Sequence, residues 1–334
     1  MGIIKTIGIV GPALIAASTV QAGGWNEKAP LLEPLSETAV AQSGHMIYVF
    51  GGYPRLRITV DTAQAYNAKT DKWRYLPPIP VKTNHAMAAA VDEKVYVIGG
   101  QATAGGRRVN GRFERQPPGF MDSVFEYDPA TNKWTQKASM PSKRSGGVAV
   151  VVGGKIYVAG GRTQETGDNF AAFDPKANRW QTLPNVPTQR NHLGAGVIAG
   201  KIYIVGGRFG PGFRSERTDA LEVYDPKTKK WTKKKSMLRP RGGVNAIAAN
   251  GCLHVLGGEG NDDALSGVFP DHAYYNPKTD SWKRLADIPT PVHGVTGLAF
   301  YKGNIHFPGG GIRIGGSSGN IIHQIVDVSD IICR

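Results

Sequence analysis

Cysteine is scarce in this sequence, and long apolar runs are confined to its first residues. Only two cysteines occur, Cys252 and Cys333. They either form one bridge, which an oxidising compartment would permit, or remain a buried thiol and a free one. After the opening segment, no apolar stretch reaches the ~20 residues that cross a bilayer as a helix. The sequence therefore predicts no membrane span in that part of the chain.

The opening segment has the features of a secretory signal peptide. It combines Lys5, an apolar run of roughly 15 residues and small residues around Ala22. We therefore expect cleavage after Ala22, which leaves residues 23–334 as one folded unit. The alternative is an N-terminal membrane anchor, for which the run is short. The sequence also lacks an Asn-x-Ser/Thr acceptor for glycosylation, which favours a bacterial periplasmic or secreted protein over a glycosylated eukaryotic one.

Sequence motifs for chemistry are also missing. No nucleophile motif, phosphate-binding loop or dinucleotide fingerprint is present, and we expect no cofactor. The formal net charge of +14 predicts attraction to polyanions and acidic ligands. A nucleic-acid partner is not expected, because no recognition motif accompanies this charge and a secreted chain rarely meets nucleic acid.

Tryptophan and glycine, in contrast, recur at a fixed spacing. A Gly-Gly pair follows each tryptophan after 26 residues in five cases and after 27 in the last. Five of the tryptophans end a heptapeptide such as "DPKTKKW" or "NPKTDSW". The six tryptophans are Trp25, Trp73, Trp134, Trp180, Trp231 and Trp282. A period near fifty residues indicates a repeat architecture.

Each repeat contains four short segments with strand character. Two β-rich runs surround a hairpin turn, and a third ends in an Asp-Pro or Asn-Pro turn before the strand that carries the tryptophan. No segment has a helical period, so each repeat is predicted to be one blade of a β-propeller. The first strand is rich in small residues, as in "AMAAAV", which suits the crowded channel. Large aromatic side chains should then pack between blades.

The Gly-Gly run, the Tyr-Asp-Pro corner and the spaced tryptophan together resemble the kelch-repeat family. The resemblance extends from Trp25 to the C-terminus and implies an all-β, six-bladed propeller with four-stranded antiparallel blades. Trp25 has no preceding strands of its own, and "IIHQIVDVS" after Gly309-Gly310 is followed by no tryptophan. We therefore predict that the N-terminal strand joins the last blade and closes the ring, which removes an exposed sheet edge. A monomer is expected, with both cysteines on one face in neighbouring blades.

Aligning the links between blades on their tryptophans predicts a polar ring at one mouth of the channel. Three successive blades place an arginine ten residues after the tryptophan: Arg144, Arg190 and Arg241. The flanking candidates are Asn84, His85, Arg162, Asn191, His192, Arg208, Glu259 and His293. Guanidinium groups match carboxylates and phosphates, so we predict binding of an anionic small molecule, a glycan or an acidic peptide. Alternatively, these arginines pair with neighbouring acids or are solvated.

Two kinds of metal chemistry are not expected. His85, His192 and His293 lie on non-adjacent blades without metal-ligand spacing, so no metal site is predicted. Some kelch propellers are copper radical oxidases resembling galactose oxidase, which need a cysteine-crosslinked tyrosine. Neither cysteine here falls near the predicted mouth.

Kelch proteins of two other kinds offer comparisons of function. The secreted sialic acid mutarotases are similar in architecture, which implies an enzyme acting on acidic sugars as the alternative to a binding module. Glu37, Glu259, His85 or His192 would then carry protons. The kelch domain of a vertebrate oxidative-stress sensor resembles "RNHLGAGVIAGKIYIVGGR" and binds acidic peptides, but it has an arginine where this chain has His192.

Overall fold

The structure is a computed structural model that describes residues 24–54, 58–102, 106–109, 112–115, 119–163 and 169–333. The predicted signal peptide, residues 1–22, lies outside the described residues. The elements within them are β-strands. None of the described residues belongs to a helix with the length and apolar character of a membrane span.

Six antiparallel sheets form the blades of a propeller, as the sequence predicts. From the channel outward, blade 1 contains Thr38–Ser43, Met46–Phe50, Ala63–Asn67 and Lys72–Tyr75; blade 2 contains Met87–Val91, Lys94–Ile98, Val124–Asp128 and Lys133–Lys137; blade 3 contains Val148–Val152, Lys155–Ala159, Phe170–Asp174 and Arg179–Thr182. Blade 4 contains Gly194–Ile198, Lys201–Val205, Leu221–Asp225 and Lys230–Lys234; blade 5 contains Asn245–Ala249, Cys252–Leu256, His272–Asn276 and Ser281–Arg284; blade 6 contains Ala299–Tyr301, Asn304–Pro308, His323–Asp327 and Trp25–Lys28.

Three short pairings lie outside this plan. Val295–Thr296 pairs in parallel with the first residues of blade 1. On the loop after blade 2's second strand, Gln101–Ala102 pairs with Gly119–Phe120, and Gly106–Val109 pairs with Arg112–Arg115.

The N-terminal strand closes the ring, which confirms the prediction. Trp25 pairs with Val326 and Lys28 pairs with His323, so the first strand is the outer strand of blade 6. Trp25 is only 1% exposed. At the inner side, the Gln42 side chain of blade 1 donates to and accepts from the backbone of Phe300 in blade 6. The first and last blades are therefore joined at both their inner and outer strands.

Cys252 and Cys333 form a disulfide. The bond joins the second strand of blade 5 to the segment that follows His323–Asp327 of blade 6. Of the two alternatives left open by the sequence, the bridged one is the one in the structure.

The repeated heptapeptide is a hairpin that fastens each blade to the one before it. Its first residue, Asp or Asn, accepts a hydrogen bond from the backbone two residues later, as Asp225 does from Lys227. Its tryptophan donates from Nε1 to a carbonyl of the preceding blade, always four residues after that blade's own tryptophan. The pairs are Trp73 to Ala29, Trp134 to Pro77, Trp180 to Ala138, Trp231 to Pro184 and Trp282 to Lys235. The recurrence of tryptophan is thus explained by an inter-blade contact.

Candidate functional site

One end of the channel, which we call the channel mouth, is formed by the twelfth residue after each tryptophan. All six have a positive φ: Glu37 55°, His85 51°, Gly146 68°, His192 55°, Gly243 58° and Gly294 69°. Glycine tolerates this left-handed conformation, but it is uncommon for other residues and often marks a functional position. Blades 1, 2 and 4 therefore hold polar side chains where the other blades have glycine.

Backbone hydrogen bonds run from blade to blade around the channel mouth. The His85 amide donates to the Glu37 carbonyl, that of Gly146 to His85, and that of His192 to Gly146, at 2.7–2.9 Å. Two further bonds of this kind follow. The Val244 amide donates to the His192 carbonyl and, at the ring closure, the Thr38 amide donates to the Gly294 carbonyl. These contacts fix the positions from which the polar side chains project.

The side chains at the channel mouth form a closed circuit of contacts, which we call the axial cluster: Glu37, His85, His192, Arg208, Glu259 and His293. Glu37 Oε2 lies 3.2 Å from His85 Nε2, and the rings of His85 and His192 are 4.9 Å apart. His192 Nε2 lies 2.7 Å from Arg208 Nη2, and Arg208 Nη1 is bonded to the Glu259 carboxylate.

His293 completes the axial cluster. Its Nδ1 lies 3.7 Å from Glu259 Oε2 and 3.6 Å from Glu37 Oε1. The sequence placed these residues on one face, and the structure brings them together. Contrary to the expectation from blade order, His85 and His192 touch although they lie in blades 2 and 4. The reason is that the glycine of blade 3, Gly146, leaves their rings free to meet.

The asparagine before each histidine determines which ring nitrogen carries the proton. Asn84 Oδ1 lies 2.5 Å from His85 Nδ1, and Asn191 Oδ1 lies 2.6 Å from His192 Nδ1. The amide nitrogens of these asparagines donate to the carbonyls of Gln101 and Gly210. The asparagine oxygens must therefore accept, so Nδ1 is protonated in both rings and the Nε2 lone pairs point into the axial cluster.

Burial keeps both imidazoles neutral. It lowers the pKa of His85, an effect that Glu37 opposes and Arg208 reinforces. It lowers the pKa of His192 well below the usual value, with Arg208 as the second cause. At neutral pH both rings are hydrogen-bonding groups and bases rather than cations.

Two of the predicted arginines line the channel mouth. Arg208 is buried in the axial cluster, and its backbone bridges to Asn191, as that of Arg162 does to Ser145. Arg162 is partly exposed, stacks over Phe120 at 5.2 Å and donates to the Pro211 carbonyl. Burial lowers the pKa of Arg162, and the nearby charge of Arg208 adds to this effect. Adjacent blades thus present two guanidinium groups in electrostatic contact.

The other three arginines are a correction to the predicted site. Arg144, Arg190 and Arg241 are 1–3% exposed. Each donates to the carbonyl of the first glycine in the following Gly-Gly pair, 16 residues later. Arg190 also pairs with the buried Glu222 at 2.6 Å. Their guanidinium groups therefore bind protein acceptors of their own blades rather than converging at the channel mouth.

A sequence signal for this structural role exists. In blade 2 the equivalent residue is Thr83, whose hydroxyl donates to the Gly99 carbonyl, also 16 residues later. Because an uncharged residue makes the same contact, and Leu35 and Val292 stand at this position in blades 1 and 6, the position does not require a cation. The predicted ligand-binding set omitted Glu37, although its position on the ring and its possible role in proton transfer were recognisable from the repeat alignment.

Comparisons with known proteins agree with the fold. A family model described as the KLHDC2/KLHL20/DRC7 Kelch-repeats domain matches residues 26–186 and 111–311. Kelch-like protein terF of Aspergillus terreus is 33% identical over 301 residues, which are 84% of this chain and 62% of that protein. Alpha-scruin of Limulus polyphemus is 27% identical over 281 residues, 80% of this chain and 29% of that protein.

The chain thus spans less than two thirds of either relative's length. Among solved structures, YjhT is similar with a TM-score of 0.73 at 19% identity, over 91% of this chain and 97% of that chain. At this identity the likeness is one of fold.

Proposed function

The chain belongs to the kelch-repeat family, and from that premise we propose that it is a secreted or periplasmic module that binds a carboxylate-bearing ligand at the channel mouth. The ligand is an anionic small molecule, a glycan or an acidic peptide. Family membership alone leaves the function open, because this fold serves many. The proposal rests on the groups at the mouth.

The observation that carries the proposal is the unequal pairing of Arg162 and Arg208. Arg208 has the Glu259 carboxylate as its partner. Among the described residues, no carboxylate lies within ion-pair distance of the Arg162 guanidinium. A guanidinium remains charged even when it is partly buried, and it binds carboxylates through two parallel hydrogen bonds. Arg162 therefore favours an anion at the channel mouth.

Secretion is supported by two independent features. The first 22 residues have the composition of a signal peptide. The Cys252–Cys333 disulfide is of a kind that persists in oxidising compartments and is rare in the cytosol.

The test is titration calorimetry with N-acetylneuraminate, glucuronate and a Glu-rich peptide. The expected result is binding of at least one of them, weakened about 10- to 100-fold in Arg162→Gln, because one charge-assisted bond contributes roughly 1.5–3 kcal/mol. The matched control is Arg179→Gln, which removes an exposed arginine from the outer strand of the same blade. Equal affinity in the two variants would place the ligand elsewhere.

An enzyme acting on acidic sugars is the second candidate. It is favoured by the Glu37–His85 pair, a carboxylate 3.2 Å from an imidazole whose other nitrogen is held by Asn84. Such a pair can move a proton to or from a sugar oxygen. Saturation-transfer NMR on N-acetylneuraminate would show faster exchange of its anomers, lost in His85→Gly. Wild-type exchange at the uncatalysed rate would eliminate this candidate for that sugar.

A further inference from the structure

We propose that Glu37, His85 and His192 form a binding site for one divalent transition-metal ion at the channel mouth. This site is separate from the carboxylate-binding role of Arg162 and does not depend on it. The sequence predicts no metal here, since His85 follows Glu37 by 48 positions and His192 follows His85 by 107 positions. The repeat architecture, not local spacing, brings them together.

The geometry of the three side chains is that of a small ion site. One ligand atom from each residue lies within 4.8 Å of the others. Zinc bonds of about 2.0–2.2 Å in a tetrahedron place ligand atoms roughly 3.4 Å apart, so the widest separation in the cluster needs to contract by up to about 1.4 Å. His85 Nε2 and Glu37 Oε2, at 3.2 Å, already have the required separation.

The space between these groups suits a single ion. A cavity of about 10 Å³ is lined by Glu37, His85 and His192 together with the three ring glycines. That volume corresponds to one water-sized particle. A Cβ atom on Gly294 would lie 2.7 Å from the Glu37 carboxylate, so glycine at this position keeps the space open.

Both histidines have the outer-shell partners that metal-binding histidines use. A metal-binding histidine commonly donates its remote ring N–H to an oxygen, which fixes the tautomer and directs the other nitrogen to the metal. Asn84 and Asn191 accept such bonds from Nδ1 of His85 and His192. The same two-residue unit, Asn-His, therefore aims two Nε2 lone pairs at the cavity.

Two imidazole lone pairs of the axial cluster face the Glu37 carboxylate. His85 Nε2 faces the Glu37 carboxylate with a lone pair. His293 Nε2 lies 2.7 Å from the Arg313 carbonyl and must donate to it, so its Nδ1 also faces Glu37 with a lone pair, at 3.6 Å. A cation among these groups would bind several of them at once.

Arg208 is the competitor for this position. Its Nη2 donates to His192 Nε2 at 2.7 Å, so metal binding requires that it release this nitrogen. Glu259 remains available as its partner. Two imidazoles and one carboxylate are a donor set that binds zinc and its first-row neighbours rather than Mg²⁺ or Ca²⁺.

The experiment is calorimetric titration of the chelator-treated protein with Zn²⁺ at neutral pH, repeated with Co²⁺ to record its visible absorption. We expect one equivalent, with a Kd on the order of 1 μM or lower. His85→Gly and His192→Gly should each weaken binding at least ~100-fold, more than the 10- to 100-fold typical of an outer-shell change such as Asn84→Ala. These glycine variants reproduce the residue that blades 3, 5 and 6 carry at the same φ, so the fold is preserved.

Three further variants make the result decisive. His45→Ala removes a histidine outside the cluster and should leave Zn²⁺ affinity unchanged. Arg208→Gln should tighten Zn²⁺ binding because it removes the competitor, while Arg162→Gln should weaken carboxylate binding without weakening Zn²⁺ binding. Zn²⁺ affinity that is equal in the wild type and both glycine variants, or weaker than about 1 mM in the wild type, would overturn the proposal.

Discussion

At the scale of single residues, an arginine that binds a ligand and an arginine that stabilises its own blade have the same appearance in the sequence. Arg190 donates to the carbonyls of Gly206, Thr188 and Ile204 and pairs with Glu222. Both side chains of this ion pair are 0% exposed. The difference from Arg162 lies in the acceptors that surround the side chain, and those become visible only in three dimensions.

This contrast predicts that Arg190 contributes to stability rather than to affinity. Arg190→Met should reduce the free energy of unfolding by about 3–5 kcal/mol, because it leaves Glu222 as an unpaired buried charge. Urea unfolding followed by tryptophan fluorescence measures the loss. Arg190→Met with Glu222→Leu should recover much of it. A single variant as stable as the wild type would contradict the structural role.

At the scale of the element, the fifth residue of the heptapeptide explains why Asp or Asn recurs before tryptophan. It has a positive φ in every copy: Asp71, Asn132, Asn178, Lys229 and Asp280. In three blades its side chain also accepts from the hydroxyl of the tyrosine on the neighbouring strand. Asp and Asn suit both tasks, since they tolerate the left-handed conformation and provide an acceptor. Lys229 suits neither.

We therefore expect Lys229→Asn to stabilise the protein by about 1 kcal/mol, through relief of backbone strain and an acceptor for Tyr224. Thermal unfolding measures the change. Lys227→Asn is the matched control, since it removes the same charge two residues away in the same exposed hairpin. An equal gain in both variants would mean that charge, not the turn, is responsible.

At the scale of the whole molecule, two buried histidine pairs lie at the two interfaces of blade 6, the blade that closes the ring. His254 Nδ1 lies 3.0 Å from His272 Nε2 in blade 5, and His272 contacts Trp25 of blade 6. His306 Nδ1 lies 3.1 Å from His323 Nε2 in blade 6, and His323 contacts Tyr66 of blade 1. Both interfaces of blade 6 therefore contain imidazoles that pack best when neutral.

These pairs predict a loss of stability in acid. Burial lowers the pKa of His254 and His306 to about 4 and that of His272 to about 3, and it also lowers the pKa of His323. The stabilisation is complete above the unfolded pKa of about 6.5 and is lost as the pH falls toward the folded values. Between pH 7 and 5, each of His254, His272 and His306 should remove about 2 kcal/mol from the free energy of unfolding, and His323 should act in the same direction.

Urea unfolding across this pH range tests the prediction. The variant His254→Gln/His272→Gln removes one pair, so its stability should depend on pH about a third less steeply, since the pKa values of His85 and His192 are also lowered by burial. Stability that is constant between about pH 7 and 5 in the wild type would contradict the role of the pairs.

The fold was predictable because the same strand pattern recurs in six repeats. The closing strand was predictable because Trp25 is not preceded by the other strands of a blade. Like the fold, the location of the channel mouth was predictable from the repeats. The roles of Arg144, Arg190 and Arg241 were predictable only in part. Thr83 at the equivalent position indicates that no cation is needed there, but the backbone carbonyls and the Glu222 carboxylate that accept from these arginines could not be assigned from the sequence. Contact between His85 and His192 was also not predictable, since it depends on the space between the two rings that Gly146, which has no side chain, leaves free.

The two ends of the propeller are held in unequal ways. Residue 24 is followed by Trp25–Lys28, the outer strand of blade 6, which is hydrogen-bonded to one neighbouring strand. Cys333, in contrast, is linked covalently to blade 5. A pulling force applied at residue 24 would peel that strand away one hydrogen bond at a time. The same force at Cys333 would act on a covalent bond that bypasses blade 6. The molecule is therefore mechanically asymmetric: it resists a pulling force less at its first strand than at Cys333.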